Sequence, residues 1–114
     1  MRLYVIGPVS GVPDLNLPAF EEARLSLEKA GYEVALPHDV VPPDASWERA
    51  MRLSVSEMMR CDAVAMLDGT LRSDGAMIER DLCRRIGIDC LPVGIWCERP
   101  LTMRRMRWVC TSRS

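Results

Sequence analysis

A carboxylate inside an apolar helical stripe marks the residue of this 114-residue chain best placed to do chemistry, and that residue is Glu79. The run from Gly75 to Ile86 sets Ala76, Leu82, Cys83 and Ile86 at helical spacing on one face. Glu79 falls within that stripe, whereas Arg80, Asp81, Arg84 and Arg85 mostly fall outside it. A carboxylate turned toward a core costs free energy unless it is paired, hydrogen-bonded or lines a ligand cavity. In the last case it can act as a nucleophile or move a proton. A capping box is a competing reading, but with Ser73 or Asp74 as the helix N-cap the third helical position is Ala76 or Met77, so Glu79 comes too late. A half-exposed position at the stripe edge, or an ion pair with an arginine from elsewhere, stays open.

Two turns add anion-binding capacity. Gly7-Pro8-Val9-Ser10-Gly11 follows the apolar run Leu3-Tyr4-Val5-Ile6 and offers backbone N–H groups and a small hydroxyl. Ser73-Asp74-Gly75-Ala76 opens the Glu79 helix, where the helix dipole favours negative charge. Taken singly, the first is an ordinary glycine turn and the second an ordinary capped helix start; beside one inward carboxylate they make a stronger case together.

The elements that must position these residues follow from periodicity and punctuation. Leu3 to Ile6 reads as a buried strand stopped by Gly7-Pro8. Asn16 can cap a helix with Phe20, Ala23, Leu27 and Ala30 on one face, ended by Gly31. Tyr32 to Leu36 is a second strand, and the proline-rich stretch from Pro37 to Asp44 is irregular. Ser46 caps a helix with Trp47, Ala50, Met51, Val55 and Met58 facing inward; Ala63 to Leu67 is a third strand ended by Asp68-Gly69. The Glu79 helix stops at Gly87, and Ile88 to Trp96 is a fourth strand in which Pro92 demands a bulge or an edge position. Pro100 to Val109 reads as a last amphipathic helix. The alternation predicts an α/β fold, one domain over residues 1–114, with a Rossmann/flavodoxin-like parallel sheet of four to five strands and helices on both faces. In such sheets ligands bind beyond the carboxyl ends of the strands. That rule gathers the loop after the first strand, the Asp68-Gly69 loop and the start of the Glu79 helix.

Composition narrows the function classes. Hydrophobic residues make up 48% and charged residues 27%, an ordinary globular balance, and the net charge of -1 recommends neither nucleic acid nor an anionic membrane as partner. Charge is uneven: residues 80–114 hold eight arginines against Asp81, Asp89 and Glu98. Five cysteines, an odd number with no Cys-x-x-Cys pair, indicate neither a disulfide framework nor a zinc site, and the single histidine, His38, cannot build a histidine-rich metal centre. No metal or other cofactor is expected. The first apolar run is too short for a signal peptide or a membrane span, so a cytoplasmic location is expected.

Leu3-Tyr4-Val5-Ile6-Gly7-Pro8-Val9-Ser10-Gly11, Cys61-Asp62-Ala63-Val64 and Ser73-x-Gly75-Ala76-x-x-Glu79 together resemble the nucleoside 2-deoxyribosyltransferase superfamily over about residues 2–96. The chain looks closest to its small, often phage-encoded DUF4406-type branch, and the 2′-deoxynucleoside 5′-monophosphate N-glycosidases share the same skeleton. The resemblance implies that Glu79 is the nucleophile attacking C1′ of a sugar and that Tyr4 orients it. It also implies that Ser73 and Gly75, with Asp74 between them, form a phosphate- or sugar-binding turn, and that Gly7, Pro8, Ser10 and Gly11 border the nucleotide. A homodimer or higher homo-oligomer, acting on a small-molecule nucleoside or nucleotide, goes with it.

One position departs from that pattern. Where the family usually carries an aspartate eight residues before the one matching Asp62, this chain has Ser54, whose hydroxyl can hydrogen-bond a base or sugar but is a poor proton donor at neutral pH. Glu57, Asp39, Asp68 or Asp74 could supply the acid instead, or protonation is not needed, or activity is weak or lost. Trp47 is read as core, with base stacking as the sharper option. The Arg99, Arg104, Arg105, Arg107 and Arg113 cluster is read as a solvated face, or as a phosphate contact across a dimer interface. The expected activity is cleavage or exchange of the N-glycosidic bond of a nucleoside or (deoxy)nucleoside 5′-monophosphate through a covalent Glu79–sugar intermediate. A catalytically silent nucleotide-binding protein is the main alternative, and a nucleic-acid accessory protein using the arginine-rich end a weaker one.

Overall fold

The computed structural model describes residues 1–99. The anticipated helix at Pro100–Val109 and the arginines beyond Arg99 lie outside the described residues. Four parallel strands form one sheet: β1 (Arg2–Ile6), β2 (Glu33–Ala35), β3 (Ala63–Met66) and β4 (Cys90–Pro92), in the order β2-β1-β3-β4. Helices α1 (Leu17–Lys29), α2 (Trp47–Met58) and α3 (Asp74–Ile86) make the connections, and α4 (Val93–Glu98) follows β4. This is the α/β, Rossmann/flavodoxin-like architecture, in which each connection between parallel strands needs a crossover helix.

Strand alternation decides which side chains meet which helices. Leu3 and Val5 of β1, with Ala63 and Ala65 of β3, join Phe20, Ala23 and Leu27 of α1 and Trp96 of α4 in one buried cluster. Tyr4, Ile6 and Val64 point the other way and pack with Met58 of α2 and Cys83 of α3. The period of two in β1 therefore delivers the Tyr4 hydroxyl to the layer built by α2 and α3, and the Glu79 helix belongs to that layer.

Several local expectations need correction. The apolar run Ile88–Trp96 is not one strand: pairing stops at Pro92 on the edge of the sheet, and the chain turns directly into α4. Val93, Trp96 and Cys97 fall at helical spacing and all pack into the core beside α1. The fully buried Trp96 donates from Nε1 to Val64 O at 2.9 Å and accepts at its carbonyl from Tyr32 Oη at 3.0 Å. A short apolar run is compatible with either element, and a tryptophan able to satisfy its N–H on the sheet decides for the helix. Asn16 stands at the N-cap of α1 without capping it; its side chain donates to Pro8 O at 2.9 Å. Ile86 is 52% exposed, outside the buried stripe of α3, which consists of Ala76, Glu79 and Cys83. Ser46 and Ser73 cap α2 and α3 as read, accepting from Arg49 N and Ala76 N, and Gly87 ends α3 in the left-handed region. No helix among the described residues is long and apolar enough to cross a membrane.

Candidate active site

The strand order reverses between β1 and β3, so the chain leaves their carboxyl ends in opposite directions and opens a crevice there. A cleft of about 500 Å³ occupies that position. One wall is the strap after β1 (Gly7 to Ser10, Val12 and Leu15), and a second is the proline-rich connection from Pro37 to Pro42. Trp47, Ala50, Met51 and Ser54 of α2 form the third, and Arg72 to Ala76 with Glu79 the fourth.

Glu79 lies in the cleft lining and is 6% exposed. The other buried polar side chains are satisfied: Glu57 pairs with Arg2 at 3.0 Å, Thr70 donates to Leu67 O at 2.7 Å, and Ser54 donates to Met51 O at 3.3 Å. Glu79 Oε2 alone among these carboxyl and hydroxyl groups is buried with no hydrogen-bond partner among the described residues. Burial pushes its pKa up to about 7, and the neighbouring Ser54 hydroxyl draws it only partway back. Tyr4 is fully buried, its hydroxyl also without a partner, and its pKa is raised well above the phenol range by desolvation first and by the Glu79 charge second. Tyr4, Ser54 and Glu79, distant in sequence, are thus close enough to perturb one another electrostatically.

Of the anticipated binding residues, Gly7, Pro8, Ser10, Ser73, Asp74 and Gly75 line this cleft. Gly7 admits nothing larger, whereas at Gly75 only the flexible end of Met51 stands in the way. A Cβ on Gly7 would come within 2.9 Å of Leu67 Cβ, and one on Gly75 within 3.0 Å of Met51 Sδ. Four anticipated site residues lie outside this lining. Gly11 is exposed, with open space beside it and φ +78, and serves the turn alone. Asp68 and Gly69 line a separate depression of about 390 Å³, because the turn after β3 carries them toward β4. Tyr4 lies beneath the cleft rather than in its lining.

The four carboxylates weighed as proton donors are now distinguished. Glu57 is held by Arg2, Asp39 is tied to Arg24 and accepts from Leu36 N, and Asp68 faces the other depression. Only Asp74 shares the cleft with Glu79. Trp47, expected inward, is 44% exposed and presents its ring to the cleft, its Nε1 3.9 Å from where a Gly75 Cβ would stand.

His38 and Arg72 also line the cleft. Arg72 was signalled only by its place before the Ser73 turn. His38 is brought in by the irregular segment after β2, which the carboxyl-end rule would have included. Its Nε2 donates to Leu15 O at 2.8 Å and its ring meets Phe20 edge-on, centroids 4.7 Å apart. That bond and the Asn16–Pro8 bond hold the strap, in which Asp14, Leu15 and Asn16 all have positive φ, between 54° and 59°. Among the described residues no three His, Cys, Asp or Glu side chains are grouped as metal ligands.

No curated protein matches the chain. The family model described as a domain of unknown function, DUF4406, matches residues 1–91, which takes in all four strands except the last residue of β4, every cleft-lining residue and Tyr4 beneath them. With that share of its length covered, the chain belongs to the DUF4406 family.

Proposed function

We propose that this protein cleaves or exchanges the N-glycosidic bond of a nucleoside or (deoxy)nucleoside 5′-monophosphate, with Glu79 as nucleophile. The observation that carries the reading is a buried carboxylate with an unpartnered oxygen in the wall of a cleft, beside an unpartnered tyrosine hydroxyl. No ion pair among the described residues accounts for it, and a carboxylate kept in this way is available to a substrate carbon. In the proposed step a Glu79 oxygen forms a bond to C1′ as the C1′–N bond breaks, and the base leaves with that electron pair. Water, or a second base in exchange, then displaces Glu79 from C1′, gives up its proton to the group that protonated the leaving base, and restores the Glu79 carboxylate. Of the carboxyl groups weighed as proton donors, Asp74 shares the cleft with Glu79 and is assigned the transfer to the leaving base. The Ser73–Gly75 turn at the start of α3 suits the 5′-phosphate, with Arg72 beside it, and the exposed ring of Trp47 suits a base.

A nucleotide panel assayed for free base tests this directly. Glu79→Ala is expected to lose at least about a thousandfold in rate, as nucleophile removal does, and turnover retained at the wild-type rate refutes the role. A second reading, a nucleotide-binding protein without turnover, is favoured by Ser54, which places a poor proton donor beside Glu79. Calorimetric nucleotide binding with no release of base, unchanged by Ser54→Asp, would select it.

A further inference from the structure

Arg72 and Arg80 form a paired charge feature on the side of the β3–α3 turn facing away from Glu79. They line the 390 Å³ depression at the carboxyl ends of β3 and β4, together with Met66, Asp68, Gly69 and Pro92. Neither guanidinium has an ion pair or hydrogen bond among the described residues; Arg49, Arg52 and Arg60 are likewise unpaired but line neither cavity, whereas Arg2, Arg24, Arg84 and Arg85 have acidic partners. The turn itself supplies no neutralising contact: the Thr70 hydroxyl is spent on Leu67 O, and the Arg72 N–H on Gly69 O. Gly69 permits the close fit, since a Cβ there would stand 3.2 Å from Pro8 Cγ and 3.7 Å from Arg72 Nη2.

We propose that this second depression is an oxyanion site, in which Arg72 and Arg80 together grip a phosphate or phosphomonoester. Two unpaired guanidiniums in one concavity repel each other until an anion bridges them, and the arginine fork matches phosphate oxygens in bidentate geometry. Asp68 in the same wall leaves a net single positive charge, which disfavours a cation. A tetrahedral phosphate can satisfy both forks at once, whereas a planar carboxylate satisfies one. Arg72 lines both cavities. The phosphate could therefore be a free ion, or belong to a ligand whose sugar lies in the first cleft. The site does not depend on Glu79 chemistry and stands or falls separately from it.

The test is calorimetric titration of the full chain at low salt with inorganic phosphate and, separately, with ribose 5-phosphate. Arg80 is the diagnostic residue, because it lines only the second depression. Arg80→Ala, with Arg80→Gln as a milder variant that retains the side-chain bulk, is expected to weaken phosphate binding roughly tenfold or more. Glu79→Gln should leave inorganic phosphate affinity unchanged. Arg80-dependent binding of inorganic phosphate identifies the free ion as ligand; Arg80-dependent binding of the sugar phosphate alone identifies a ligand spanning both cavities. Affinity for both probes unaffected by either Arg80 variant overturns the proposal, as does the absence of binding by the wild-type chain.

Discussion

Burial that holds the Glu79 carboxyl at about 7, above its ordinary 4.5, has two measurable consequences of fixed sign. The folded-state pKa is raised, so the folded protein has no penalty below about pH 4.5 and loses stability as pH rises through 7. A shift of this size corresponds to about 3 kcal/mol. Glu79→Gln, which cannot ionise, should match the wild type in urea unfolding near pH 4 and exceed it at pH 8 by up to about that amount. If Glu79 is the nucleophile, turnover should rise with pH through about 7, whereas a general acid would give the opposite limb. A flat difference in stability between pH 4 and 8 would show that the carboxyl is not desolvated. Glu79 was legible in sequence because its place in an apolar stripe needs only helical periodicity. Arg72 and His38 were not, since each reaches the cleft through a turn whose direction depends on tertiary packing.

At the scale of elements, Gly7 at the end of β1 is required by contact rather than by its dihedrals. Gly7 is buried against Leu67, the residue that follows β3, and Leu67 N donates to Ile6 O at 2.9 Å. A methyl group at position 7 would meet Leu67 Cβ, an atom fixed to its backbone, so the two strand ends would have to separate. Gly7→Ala is expected to destabilise the fold by roughly 1–3 kcal/mol, the usual range for overpacking. Chemical denaturation measures this, and a change within a few tenths of a kcal/mol would mean that the strand ends are not packed as described. Strands β1 and β3 were readable because continuous apolar runs bounded by Gly, Pro and Asp leave few alternatives. Strand β4 and helix α4 were not separable, because Ile88–Trp96 gives one apolar signal for two elements. Pro92 did mark the edge of the sheet, but the helix that starts immediately after it follows from the burial of Trp96.

On the scale of the molecule, two apolar layers share one sheet, and they divide the work. The α2–α3 side holds Tyr4, Ser54 and Glu79, while the α1–α4 side is closed by Trp96, 0% exposed and edge-to-face with Tyr32 at 5.8 Å between centroids. Trp96→Ala should therefore cost about 3–5 kcal/mol in a thermal or urea melt; a loss under 1 kcal/mol would contradict the described core. The family match ends at residue 91, short of this tryptophan. A chain trimmed to that boundary would keep every residue of the cleft yet lose Trp96 and with it the indole donor to Val64 O. The seam of homology and the seam of the packed core fall at different places, so a chain cut at the first is expected to melt below the full chain although its cleft residues are all retained.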